Sequence, residues 1–386
     1  MEKFRLGDIG TIITGNTPKT SDNQNYASSD ISFVKPSDID DNELTDLHSS
    51  EYHISEYARD KARILPPQSI LVTCIGIVGK VGINAIECAF NQQINAIIPD
   101  SRKCNYRYLA YAIQHEKPKL QSIANAPVVP ILNKSQFSDI QVPLPPLEEQ
   151  RKIAAVLDKV SDLIAKRRQQ LDKLDELVKA RFVEMFGSPI LNSLGWKKEF
   201  LKDVCTKLND GTHFSPESFE TGEYKYITAK NIKMSGFDFT NITYVPEEIH
   251  RPIYERCNPE LGDVLYIKDG ATTGIAMVNT LEEEFTLLSS VALLKQDRKR
   301  INGYFLAALL NNEDMYADIR RNMGGAAITR LTIAKLNTIQ VILPPINLQN
   351  QFASFVERTE KTKITISKSL EKLETLKKAL MQEYFG

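Results

Sequence analysis

The chain repeats itself at a fixed distance. Leu144-Pro145-Pro146-Leu147-Glu148-Glu149-Gln150 returns as Leu343-Pro344-Pro345-Ile346-Asn347-Leu348-Gln349, and Lys179 to Gly187 returns as Lys378 to Gly386. Both marks recur after 199 residues (343 − 144 and 386 − 187), so the segment between them has one length in both copies. The regions before each mark are related more loosely. Leu6-Gly7-Asp8-Ile9 matches Leu201-Lys202-Asp203-Val204, and residues 31–39 resemble residues 224–232, with offsets that drift between 193 and 195. The chain reads as variable head, fixed segment, variable head, fixed segment.

The fixed segments carry mostly apolar residues at alternating spacings of four and three, broken by Arg167 and Arg181 in the first and by Thr359, Lys363 and Lys377 in the second. The first runs Ile153, Leu157, Val160, Ile164, Arg167, Leu171, Leu174, Val178, Arg181, Met185. The second runs Phe352, Val356, Thr359, Lys363, Ile366, Leu370, Leu373, Lys377, Leu380, Tyr384. That spacing is a coiled-coil seam, and no Pro or Gly interrupts it. Paired prolines before each segment suit a helix start, and Gly187 stands where a C-terminal cap belongs. Helices of roughly 38 residues would be about 57 Å long, and neither could bury its stripe alone. Antiparallel pairing of the two would carry the chain back to its first head. The expected boundaries are 1–143 and 188–342 for the heads, and 144–187 and 343–386 for the helices.

A chain of 386 residues is too long for one ordinary core. Within the heads, Ile31-Ser32-Phe33-Val34, Ser69-Ile70-Leu71-Val72, Ile94 to Ile98 and Val264-Leu265-Tyr266-Ile267 read as strands. Residues 106–114 and 304–310 read as helices. The expected fold class is therefore α+β: two small mixed heads joined by two long helices with a pseudo-two-fold repeat.

Chemistry is sparse. No Gly-x-x-x-x-Gly-Lys-[Ser/Thr] run is present, and Gly76 to Lys80 is too short to be one. No Gly-x-Gly-x-x-Gly follows a strand, and the double prolines lack the Asn or Asp of an amino-methyltransferase. Glu223-Tyr224-Lys225, with Asp210 upstream, has the spacing of a nuclease metal site, but the first head has no equivalent. His48, His53, His115, His213 and His250 form no ligand cluster. Cys74, Cys88, Cys104, Cys205 and Cys257 are odd in number and far apart, which argues against a disulfide framework and a zinc knuckle. The start of the chain has no apolar signal segment and no run is long enough to span a bilayer, so a cytoplasmic protein is expected. The net charge of −1 gives no basic footprint for nucleic acid. A near-neutral total still permits a basic face.

Several loops combine Gly with hydrogen-bonding side chains: Thr14-Gly15-Asn16-Thr17-Pro18-Lys19-Thr20, its counterpart Asn209 to Pro216, Asp269-Gly270-Ala271-Thr272-Thr273-Gly274, and Gly76 to Lys80. Such loops bring backbone amides close to phosphates while Asn, Thr, Lys and His reach base edges. They also look like ordinary surface turns, and composition does not separate the two.

Taken together, the duplicated Leu-Pro-Pro-x-x-x-Gln starts, the heptad helices closing on Met185-Phe186-Gly187 and Tyr384-Phe385-Gly386, and the paired head loops resemble the specificity subunits of type I restriction-modification enzymes over essentially the whole chain. Asn347-Leu348 departs from the Glu148-Glu149 of the first copy. The resemblance implies that each head is a target-recognition domain reading one half of a bipartite, asymmetric site in double-stranded DNA. It implies that the helices set the spacer and dock two methyltransferase subunits, and that restriction and motor subunits can join. This chain would then hold no cofactor and no catalytic residue; S-adenosylmethionine, magnesium and ATP would belong to the partners. The candidate DNA contacts are Asn16, Thr17, Lys19, Lys35 and Lys80 in the first head and Thr212, His213, Lys230, Thr272 and Thr273 in the second. The competing expectation is a coiled-coil adaptor that binds protein instead of DNA.

Overall fold

Both long seams fold as single uninterrupted helices in the computed structural model, which describes residues 2–124, 129–321 and 330–386. The first, α1, spans Leu147–Phe186 and the second, α2, spans Ile346–Phe385, 40 residues each. The proline carbonyls begin the first turns: Pro146 O accepts from Glu149 and Gln150, and Pro345 O accepts from Leu348 and Gln349. Gly187 ends α1 in the left-handed region at φ 72°, where a Cβ would be strained.

The glutamine of each repeated motif has a structural purpose. Gln150 is fully buried; its Oε1 accepts from the Asn105 amide at 2.8 Å, and its Nε2 donates to Lys103 O and Pro145 O at 3.1 and 2.8 Å. Gln349 repeats every bond, with Asn302 N at 2.9 Å and with Arg300 O and Pro344 O at 3.1 and 2.8 Å. One buried amide thus fastens the start of each long helix to the loop that opens a helix of the head, Tyr106–His115 or Gly303–Leu310.

The chain divides into two compact units. One is residues 1–167 with 369–386, and the other is residues 168–368. In the first, a five-stranded sheet has the order Gly10–Thr14, Ile94–Pro99, Ile70–Thr73, Val81–Asn84, Thr45–Leu47. A four-stranded sheet has the order Tyr52–Ile54, Ile31–Val34, Cys88–Phe90, Ile64–Leu65. The central strand Ile70–Thr73 is buried at every residue because both of its faces are covered. Ile70 and Val72 meet Tyr108, Leu109 and Ala112 of the head helix, while Leu71 meets Val34 and Phe90 of the second sheet. The period-two alternation of a strand produces this helix–sheet–sheet layering.

The second unit repeats the plan with fewer strands in its two main sheets. A four-stranded sheet runs Cys205–Asp210, Val291–Gln296, Val264–Ile267, Ala276–Val278, and a three-stranded sheet runs Thr243–Val245, Tyr224–Ile227, Phe285–Leu287. Val264 and Tyr266 face the helix layer, and Leu265 and Ile267 face the other sheet. Each head also closes on itself: Lys3–Arg5 pairs with Gln141–Pro143, and Lys198–Phe200 pairs with Gln340–Ile342.

Each unit contains segments of both long helices, running antiparallel. In the first, Ile153, Ala154 and Leu157 of α1 share a core with Leu380, Met381 and Phe385 of α2. In the second, Phe182 and Phe186 share a core with Phe352 and Val356. Three seam positions read from the spacing are displaced at the helix ends. Phe182, Phe186 and Phe385 are the buried residues there, whereas Arg181 turns out to pair with Glu184, and Met185 and Tyr384 are only half-buried. The reason is packing against the head: Phe186 meets the Phe305 ring at 4.7 Å, and Phe385 meets the Tyr108 ring at 5.2 Å. The polar seam residues are explained by partners. Lys363 pairs with Asp175 and Glu360, Lys377 reaches Glu43, and the Thr359 hydroxyl donates to Phe355 O.

Candidate nucleic-acid interface

The two glycine loops occupy the same place in their heads. Asn16 N donates to Phe90 O at 3.1 Å, and Thr212 N donates to Leu287 O at 2.8 Å. Phe90 and Leu287 end strands that lie parallel to Ile31–Val34 and Tyr224–Ile227, respectively. Asn16 therefore corresponds to Thr212, and Thr17 to His213. Gly15 and Gly211 are dictated by this approach: a Cβ would stand 2.1 Å from Asn91 O in the first and 1.9 Å from Leu287 O in the second.

Of the first-head candidates, two are committed to holding loops. The Asn16 amide donates to Lys61 O at 2.7 Å and accepts from Arg63 N at 2.8 Å. The Lys80 ammonium donates to Pro36 O and Ile39 O at 3.2 and 2.9 Å. Lys19 is exposed, and Thr17 is exposed with its hydroxyl donating to Gln92 Oε1 at 2.6 Å. Thr17 and Lys35 come together in a concavity of about 330 Å³, with Phe33 as floor and Tyr26, Tyr52 and His53 around it. The Lys35 ammonium lies over the Tyr52 ring, 3.0 Å from its centroid.

In the second head, His213, Lys230 and Thr272 are exposed, whereas Thr212 and Thr273 are turned inward. Thr212 is 2% exposed and its hydroxyl meets the Phe214 backbone; Thr273 is fully buried and donates to Gly270 O at 2.6 Å. These two hydroxyls are bonded within their own loops. Sequence reading gave no hint of the charge network beneath them. Lys268, 2% exposed, sits 3.4 Å from Asp210 and 2.9 Å from Asp269. Arg256 meets Asp210 at 3.5 Å, Arg330 meets Asp269 at 3.3 Å, and His213 Nε2 lies 3.2 Å from Asp210. Desolvating a lysine is offset here by two carboxylates, and the result ties the loops starting at Asp210 and Asp269 together. The available signal was a charged residue directly after the apolar run Val264 to Ile267. This network also accounts for Asp210, while Lys225 pairs with Glu283. Among the described residues, no group of three or more His, Cys, Asp or Glu is placed to hold a metal ion, and no helix is long and apolar enough to cross a membrane.

Comparison with known proteins places this architecture. The chain matches the family described as the type I restriction modification DNA specificity domain twice, over residues 1–176 and 193–378. It is similar to the type I restriction enzyme MjaIX specificity subunit of Methanocaldococcus jannaschii, 25% identical with 98% of this chain and 90% of that protein covered. It is also similar to the MjaVIII specificity subunit of the same organism, 22% identical with 90% and 87% covered. The crystal structure of a type I restriction-modification system S subunit from M. genitalium has the same fold, with a TM-score of 0.64 at 14% identity, covering 100% of this chain and 96% of that one. With two matched domains, each carrying a glycine loop and a long helix, the chain belongs to the type I restriction-modification DNA specificity family, as a non-catalytic subunit that supplies sequence specificity.

Proposed function

We propose that each head reads one half of a bipartite, asymmetric DNA site and that the two long helices set the non-specific spacer and dock two methyltransferase subunits. The observation that carries this reading is the repeat itself. Two heads built on one plan, with equivalent glycine loops but unlike side chains around them, suit two unlike half-sites. Duplex DNA has its own two-fold axes, so two heads built on one plan suit half-sites on opposite strands.

Two docked partners are supported by the helix surfaces. The first unit exposes Val156, Leu163 and Leu376 on its helices, and the second exposes Leu177, Val183 and Ile364. Apolar side chains of this kind on a helix pair suit further helices packed alongside. S-adenosylmethionine, magnesium and ATP then sit in the methyltransferase and in the restriction and motor subunits, and the adenine to be modified leaves the stack toward a partner's pocket.

The test is a chimera in which residues 188–342 are replaced by the second head of another family member. Sequencing of methylated DNA should show one half-site changed and the other intact. A change in both halves would refute independent reading.

A further inference from the structure

Strand register locates one position in both heads and shows that the two fill it with different chemistry. In the first head, Phe33 lies opposite Tyr52 and the strand Ile31–Val34 leads into Lys35. In the second, Tyr226 lies opposite Thr243 and the strand Tyr224–Ile227 leads into Thr228. Lys35 and Thr228 each begin a short 3-10 turn, so Phe33, Lys35 and Tyr52 correspond to Tyr226, Thr228 and Thr243. Both sites adjoin the glycine loop, which is bonded to the neighbouring strand ends Phe90 and Leu287.

We infer that this position is the base-reading site of each head: Lys35 donates to a guanine edge in one half-site, and the Tyr226 hydroxyl reads a base in the other. The inference rests on the bipartite reading proposed above.

Three features of the first head support it. The concavity has no Asp or Glu in its lining. Among the described residues, no carboxylate pairs with Lys35, whereas the nearby Arg59 and Lys61 are both paired. The Tyr52 ring beneath the ammonium fixes a flexible four-carbon stem while its N–H groups stay available. A lysine ordered in this way loses less freedom on docking, and the guanine O6 and N7 acceptors in the major groove are its matching edge.

The second head offers no cation at the corresponding place. Tyr226 is 6% exposed, and its buried hydroxyl has no hydrogen-bond partner among the described residues. A buried hydroxyl without a partner is costly. The fold does not require it, because phenylalanine fills the same strand position in the first head. The hydroxyl is therefore kept for something that arrives from outside.

The test uses the full chain assembled with its methyltransferase partner, the methylated motif being read by sequencing and the folding of each variant by thermal melting. Lys35→Met should relax one guanine position in one half-site, with roughly tenfold or greater loss of discrimination there, and leave the other half unchanged. Lys35→Arg, which keeps the donors, should retain the guanine. Tyr226→Phe should relax a position in the other half without lowering the melting temperature. Uniformly weaker binding by Lys35→Met, with a salt dependence flattened by about one phosphate contact, would overturn the assignment, as would unchanged motifs in both variants. A wild-type complex that methylates no bipartite motif would instead overturn the reading beneath it.

Discussion

Phe385, the last residue of α2, completes the core of the first head. Phe385 is 2% exposed and packs on Tyr108 and His115, with ring centroids 5.2 and 5.9 Å apart. Phe186 is its repeat partner, packing on Phe305 and Phe352 at 4.7 and 5.6 Å. Truncating such a phenylalanine to alanine removes its transfer free energy and leaves a cavity, about 3–5 kcal/mol in total. In a unit of this size that corresponds to a fall in melting temperature on the order of 10 °C. The loss should be local. Phe385→Ala should raise hydrogen exchange in helix Tyr106–His115 and in strand Ile70–Thr73, and Phe186→Ala should raise it in helix Gly303–Leu310 and strand Val264–Ile267. Exchange resolved by peptide separates the two. Full protection of Tyr106–His115 in Phe385→Ala would refute the claim that the C-terminal helix end seals the first head.

The remaining predictions concern the clamps, the charge network, pH and the spacer. Gln150→Ala and Gln349→Ala each strand buried backbone groups and should cost about 1–3 kcal/mol in denaturant titration, the first in unit one and the second in unit two. Lys268→Met removes the buried cation shared by Asp210 and Asp269, leaving only the more exposed Arg256 and Arg330 beside them, and should cost about 3–5 kcal/mol, with Asp210→Asn added to it recovering part of the loss. His250 is buried between Tyr224 and Thr286, with Glu284 and Arg251 beside it, and burial lowers its pKa below the ordinary 6.5. Its folded pKa being depressed, the neutral form contributes stability that is present above pH 6.5 and is lost as pH falls below it. The second unit should therefore melt lower at pH 5.5 than at pH 7.5, as measured by calorimetry, and His250→Gln should shrink the difference. Four residues inserted after Lys173 lengthen α1 by about 6 Å and should lengthen the methylated motif's spacer by one or two base pairs, leaving both half-sites unchanged. An active insertion variant with the original spacer would show that α1 does not set it.

The long helices were legible because a seam of ten positions repeats over uninterrupted sequence and nothing local competes with it. Their ends were not, because Phe182, Phe186 and Phe385 answer to the head helices, which the heptad pattern does not see. Strands such as Ile70–Thr73 stood out as apolar runs, but their order depends on pairings between distant residues. The equivalence of Asn16 with Thr212 was readable from the shared glycine. Which side of the loop each side chain takes was not: Thr212 and Thr273 are indistinguishable from surface threonines until their burial is known. The burial of Lys268 was not readable either, since its carboxylate partner Asp210 lies on a strand remote in sequence.

The most direct test of the central claim is base-resolution sequencing of methylated adenine in cells that express the methyltransferase partner with or without this chain. Methylation at one motif of two unlike halves around a fixed spacer, present only with the chain, is the predicted result. A methylation pattern that is indifferent to the chain, or a motif with a single uninterrupted core, would contradict it.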